Sequence, residues 1–174
     1  MFQSFLPTEI FDDIYRITPD MLTAAGIRGL ILDIDNTLVT YDDPVPTPSV
    51  TAWLDAMHAA GIATAFVSNN HAPRVDGFCA GMDCYHHADS GKPSTKYLRE
   101  AMAHMGTDAA STAAIGDQLF TDVWAARRAG ITAYLVPPIK DKRTLFFRAK
   151  RLLEKPFLRL YHKRKESKNE KSRS

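Results

Sequence analysis

Cysteine is scarce, with only Cys79 and Cys84 in 174 residues. Two thiols cannot build a disulfide framework, and such a count fits a reducing compartment. Long apolar runs are missing too. The longest uncharged ones, such as residues 62–67, fall far short of the ~20 residues that a spanning helix requires. The opening stretch MFQSFLPTEIFDD carries acids where a secretory signal has a basic region followed by a long apolar segment, so a cytoplasmic location is expected. Nine glycines and ten prolines, without internal repeats, exclude collagen-like and low-complexity chains.

What is present fits one ordinary domain with enough large side chains to bury a core: 45% apolar and 24% charged residues. The formal charge of +2 hides an asymmetry. Residues 1–139 hold 8 Lys and Arg against 16 Asp and Glu, whereas residues 140–174 hold 14 against 4. A terminal block of one sign marks an interaction tail or a solvated end. Three parts are expected: an N-terminal helical segment (1–28), a main domain (29–139) and a basic amphipathic tail (140–174).

From Gly29 onward, apolar β-type runs alternate with helical patterns, the signature of a parallel sheet covered by helices on both faces. Strands are expected at residues 29–33, 62–67, 83–86, 112–115 and 131–136, about five in all. Thr47-Pro48 offers an N-cap and a first-turn proline for a helix stopped by Gly61. Further helices are expected at 71–80, from Pro93 to Gly106 and over 119–129. Thr18-Pro19-Asp20 starts a short helix ending near Gly26, and residues 8–15 read as another. The fold class is α/β, a doubly wound parallel sheet in three layers.

In such a sheet, polar groups just past the carboxyl ends of the strands converge on one crevice. The first strand delivers Asp33-Ile34-Asp35-Asn36-Thr37-Leu38, the second Ser68-Asn69-Asn70, the weak third Gly91-Lys92-Pro93-Ser94, and the fourth Gly116-Asp117 with Asp122 beyond. Carboxylates gathered within ~4 Å repel by about 4 kcal/mol per pair at an effective dielectric of 20, so the cluster calls for a cation. Oxygen ligands alone select a hard ion, and Mg²⁺ is the usual partner of phosphate. Asp33 then serves as the nucleophile toward phosphorus and Asp35 as the acid and base for the leaving group and water. Thr37, Ser68, Asn69 and Lys92 are expected to hold phosphate oxygens; Asp33, Asp35 and Asp117 to bind the metal; Asp122 to support the loop.

These motifs, in this order, resemble the four motifs of the haloacid dehalogenase (HAD) superfamily phosphatases. The forms LDIDNTLV, VSNN, GKPS and IGDQLFTDVWAARRAG are similar to YqeG-like members of subfamily IIIA. The resemblance runs from about Gly29 to Pro138. It implies an Asp-based, Mg²⁺-dependent phosphomonoesterase, and, because relatives in that group include phosphatidylglycerophosphate phosphatases, a phospholipid head group as substrate. A soluble phosphatase acting on sugar or nucleotide phosphates and an RNA- or ribosome-associated binding protein are the rival readings.

Many members of the superfamily carry an inserted lid. Between Thr37 and Ser68 lie 30 residues, of which a helix and a strand use 19, and between Asn70 and Lys92 lie 21. Neither interval holds a lid domain, so a capless, open site is expected. In the tail, Phe146, Ala149, Leu153, Phe157 and Leu160 recur at helical spacing, flanked by Leu145, Leu152 and Tyr161 and interleaved with Arg143, Arg148, Lys150, Arg151, Lys155 and Arg159. Such a helix can lie on an anionic membrane surface or pack on the domain, and Pro156 is expected to break or restart it. No aromatic platform or reading motif supports a nucleic-acid partner. Cys79, Cys84, His86 and His87 are zinc-ligand types at a spacing that matches no standard site, and read as buried small hydrophobes and surface imidazoles. Oligomeric state is not legible.

Overall fold

A computed structural model describes the backbone of residues 2–140 and 145–171 and the side chains of 3–140 and 152–167. Six strands form one all-parallel sheet in the order β1-β6-β5-β2-β3-β4. They are β1 (Glu9–Ile10), β2 (Gly29–Leu32), β3 (Ala63–Val67), β4 (Tyr85–His87), β5 (Thr112–Gly116) and β6 (Thr132–Leu135). The helices are α1 (Pro19–Ala24), α2 (Pro48–Ala59), α3 (Ala72–Phe78), α4 (Lys96–Met105), α5 (Trp124–Ala129) and α6 (Leu145–Lys171).

The central strands are buried on both faces. Along β2, Leu30 and Leu32 join Trp53, Leu54, Met57, Val75 and Phe78 on one side, while Ile31 joins Leu98, Ala101, Ala125 and Ala126 on the other. Alternating side chains thus supply both layers, which is why the strands read as continuous apolar runs. The Trp53 indole donates to the Ile17 carbonyl at 2.9 Å, which anchors α2 to the N-terminal segment.

Four expectations are corrected. Residues 8–15 are not a helix: Glu9 and Ile10 pair in register with Tyr134 and Leu135, and a 3-10 turn, Ile14–Arg16, follows. Edge pairing to a strand over a hundred residues away leaves no local signal, so a sixth strand went uncounted. The helix expected over 119–129 opens as a π-helical turn, Leu119–Val123, before α5. Pro156 does not break α6, which runs through it.

The fourth concerns the apolar stripe of the tail. The face of α6 that meets the domain holds Glu154, Phe157, Leu158 and Tyr161, whereas Leu152 and Leu153 point outward, 61% and 64% exposed. Phe157 packs against Phe5 and Phe120, and the Leu119 backbone N–H donates to the buried Glu154 carboxylate at 3.1 Å. The tail therefore contacts the turn that follows β5. The side chains of Leu145, Phe146 and Ala149 and the basic side chains at 143, 148, 150 and 151 lie outside those described.

Candidate active site

Strand order reverses between β2 and β5, the place where a doubly wound sheet opens a crevice at the carboxyl ends of its strands. The Asp33 backbone N–H, just past β2, donates to the Ile115 carbonyl of β5 at 3.0 Å. Asp33 and Asp117 are thereby brought side by side. Beyond Asp33 the chain turns sharply through Asn36 at φ +67°, a left-handed conformation that Asn tolerates better than most residues. The Asn36 amide donates to the Lys140 carbonyl at 2.9 Å and accepts from the Lys140 N–H at 3.2 Å, tying this turn to the chain that leaves β6.

Lys92 is the hub. Its ammonium lies 2.7 Å from Asp33 Oδ1, 2.7 Å from Asp122 Oδ1 and 2.7 Å from the Val67 carbonyl, so each of its three N–H donors has an acceptor. Burial alone would push this lysine down; Asp122 and Asp33 outweigh that and hold it above its ordinary value. Burial also raises the Asp33 carboxyl, to about 6, because the Lys92 charge that opposes the rise is itself opposed by Asp122. The Thr37 hydroxyl donates to Asp33 Oδ2 at 3.1 Å. Tyr41, near the same carboxylates, is pushed up by burial and then by Asp117 and Asp33, which keeps its phenol a proton donor.

Asp122 reaches this centre because Gly116 lacks a side chain. A Cβ on Gly116 would fall 2.4 Å from both Cβ and Cγ of Asp122. The other Asp122 oxygen accepts from the Gln118 N–H at 3.1 Å, within the π-helical turn.

Carboxylate oxygens of Asp33, Asp117 and Asp122 lie within 4.8 Å of one another. Asp35, expected among the metal ligands, points its carboxylate elsewhere. Its Oδ1 pairs with Arg74, at 3.0 Å to Nε and 2.9 Å to a terminal nitrogen, and its Oδ2 accepts from the Asn70 amide at 2.8 Å. Asp33, Asp35, Asp117 and Asp122 are all buried; Lys92 pairs with Asp33 and Asp122, and Arg74 with Asp35. The all-oxygen donor set of Asp33, Asp117 and Asp122 fits a hard divalent ion such as Mg²⁺.

Two expected phosphate ligands are busy with the loops. The Asn69 amide oxygen accepts from the Lys92 N–H at 2.7 Å and the Ser90 hydroxyl at 2.8 Å, and its nitrogen donates to the Lys92 carbonyl at 3.1 Å. Asn69 is thus a brace for the segment that delivers Lys92. The Ser68 hydroxyl accepts from the Asn70 N–H at 3.0 Å. Arg74 escaped the sequence reading. Besides Asp35, it donates to the carbonyls of Asp43 at 2.6 Å and Thr40 at 3.3 Å, so it holds the loop after the first motif against the site. Its partners lie 31–39 positions away, beyond any local pattern.

A HAD-hydrolase-like family model matches residues 90–144, the stretch from Lys92 through Asp117 and Asp122. Across 154 residues, 88% of this chain and 90% of the relative, the sequence is 35% identical to the probable phosphatase YqeG of Bacillus subtilis. The chain belongs to the HAD phosphatases. This HAD phosphatase is also 28% identical over 146 residues to the chloroplastic phosphatidylglycerophosphate phosphatase 1 of Chlamydomonas reinhardtii, covering 77% of the chain and 53% of that relative. Among solved structures, CbbY of Rhodobacter sphaeroides in complex with xylulose-1,5-bisphosphate superposes with a TM-score of 0.55 at 14% identity, over 69% of this chain and 90% of that one. The 3-deoxy-D-manno-octulosonate 8-phosphate phosphatase of Moraxella catarrhalis, in complex with magnesium, phosphate and its sugar, gives 0.50 at 21%, over 64% and 68%. At these identities the likeness is one of fold, and it agrees with the three-layer parallel sheet. No helix among the described residues is long and apolar enough to cross a membrane.

Proposed function

We propose that this HAD phosphatase hydrolyses a phosphomonoester through an aspartyl-phosphate on Asp33, with Mg²⁺ as cofactor and phosphatidylglycerophosphate as substrate. The observation that carries the reading is the placement of the Asp33 carboxylate between the Lys92 ammonium and the oxygens of Asp117 and Asp122. An Asp33 oxygen forms a bond to phosphorus while the ester P–O bond breaks, and Asp35 gives a proton to the departing alkoxide. Asp35 then takes a proton from water as the water oxygen attacks phosphorus; the Asp33–phosphorus bond breaks and inorganic phosphate leaves. Lys92 stabilises the phosphoryl charge throughout, and Arg74 with Asn70 aims the Asp35 carboxylate. Mg²⁺, held by Asp33, Asp117 and Asp122, would offset the charge of these carboxylates so that an anionic substrate can enter.

Three observations support a lipid substrate. Among the described residues no inserted lid domain lies between the motifs to exclude a large molecule. One relative is named for phosphatidylglycerophosphate. The outward side of α6 exposes Leu152 and Leu153 together with Lys155, Arg159 and Lys163, a combination suited to the surface of an anionic bilayer.

Phosphate release across a panel tests the reading: phosphatidylglycerophosphate in mixed micelles against soluble sugar and nucleotide phosphates, each with Mg²⁺ and with excess chelator. The lipid should lead in kcat/KM and chelation should abolish turnover; preference for a soluble ester refutes the lipid assignment. Asp33→Asn should abolish turnover with the fold intact, and retained turnover reassigns the nucleophile.

A further inference from the structure

Cys79, Cys84 and His86 lie in a cluster that the proposed chemistry does not use. Cys79 caps the C-terminal end of α3, Cys84 directly precedes β4, and His86 is the middle residue of β4. Two positions apart in extended chain, Cys84 and His86 project to the same face. The turn through Gly81, at φ +80°, folds the end of α3 back beside them.

The donor atoms of these three residues lie within 4.8 Å of one another. Around a tetrahedral zinc with Zn–S near 2.3 Å and Zn–N near 2.0 Å, donors stand about 3.5–3.8 Å apart. A contraction of at most about 1.3 Å would therefore seat the ion. His86 Nδ1 is buried and makes no hydrogen bond among the described residues, although a buried ring nitrogen normally finds a partner. Its other nitrogen, Nε2, sits 3.4 Å from the Asp76 carboxylate, the arrangement that orients a metal-binding imidazole and sets its tautomer. Both thiols are free. A solvent-connected cavity of about 630 Å³, bordered by Asp83, Cys84, His86 and His104, gives an ion a way in and water for a fourth position.

We infer that Cys79, Cys84 and His86 form a thiolate–imidazole site for zinc that clamps the end of α3 to the start of β4. The site differs in donor chemistry from the all-oxygen Asp33, Asp117 and Asp122 cluster, so a thiophilic ion and Mg²⁺ sort between the two. Its occupancy stiffens the corner that leads from α3, which carries Arg74, into β4 and the loop bearing Lys92.

Cobalt(II) substitution of the reduced full-length chain reads sulfur ligation directly. With excess Mg²⁺ filling the acidic cluster, the expected result is one thiolate-bound cobalt per chain, with thiolate-to-cobalt charge-transfer absorption and the strong visible bands of a tetrahedral ion, displaced by zinc but not by Mg²⁺. Asp117→Asn should keep those bands, whereas Cys84→Ser and His86→Gln, at half-exposed positions that tolerate polar side chains, should lose or reshape them. Zinc should raise the melting temperature of the parent chain and not that of Cys84→Ser. Absence of the charge-transfer bands in the reduced parent, their persistence in Cys84→Ser, or a Cys79–Cys84 disulfide that forms equally with zinc present would overturn the inference.

Discussion

Replacing Lys92 by methionine keeps the length of the side chain and removes its charge. In the folded protein that charge lies 2.7 Å from each of two buried carboxylates, with the lysine side chain 5% exposed. Without it, Asp33 and Asp122, with oxygens within 4.8 Å, repel by about 3.5 kcal/mol at an effective dielectric of 20. Mutational experience with broken buried ion pairs gives about 3–5 kcal/mol, so the two routes agree. For a chain of this size the loss should lower the melting temperature by about 10 °C. Two conditions should return part of it. Mg²⁺ would stand in for the missing charge, and acid would protonate Asp33, whose raised pKa means that its ionised form opposes folding and that this penalty fades as pH falls. Adding Asp122→Asn to Lys92→Met should also recover stability, since one of the repelling charges is gone. The assay is thermal and urea unfolding by circular dichroism at neutral pH, with and without Mg²⁺. A variant that melts within about 2 °C of the parent, with no response to Mg²⁺, pH or the second substitution, would refute the charge balance described above.

Gly116→Ala drives a Cβ into Asp122 and should cost about 1–3 kcal/mol with a fall in kcat; Gly77→Ala, in α3 with nothing within 4 Å of the added carbon, should be neutral or stabilise by about 0.5–1 kcal/mol in the same melts. Arg74→Lys loses the two-pronged grip on Asp35 and should lower kcat by up to about 100-fold with KM little changed and the melting temperature near that of the parent; a normal kcat removes Arg74 from the account. At the base of α6, burial works to raise Glu9, but hydrogen bonds from Lys165 and Tyr161 prevail and hold it below its ordinary 4.5. Its contribution to seating the helix is therefore complete above pH 4.5 and lost as pH falls through the lowered value, which a fluorophore on α6 should report as an acid release step missing in Glu9→Gln.

The four strand-end motifs were readable because each lies within a few residues of a strand recognisable by composition, and a doubly wound topology sends all those ends to one crevice. Capping signals such as Thr47-Pro48 are equally local, and α2 begins there, with the Thr47 hydroxyl accepting from the Val50 N–H at 3.3 Å. By contrast, β1 exists through pairing with β6, Asp35 is gripped by an arginine 39 positions on, and Glu154 meets Leu119 across 35 residues. Cys79, Cys84 and His86 looked unrelated because their spacing matches no familiar metal motif; the turn at the end of α3 is what closes the distance.

Composition and short-range pattern determined the sheet class, the acidic crevice and the basic helix, since these depend on side-chain type and on periodicities of two and 3.6 residues. Which carboxylates share a cation, which is held by arginine, and which face of α6 meets the domain were decided only when the strands docked. Those choices depend on distances of a few ångströms between residues far apart in the chain, and Coulomb and packing energies at that range are set by three-dimensional placement rather than by order along the sequence.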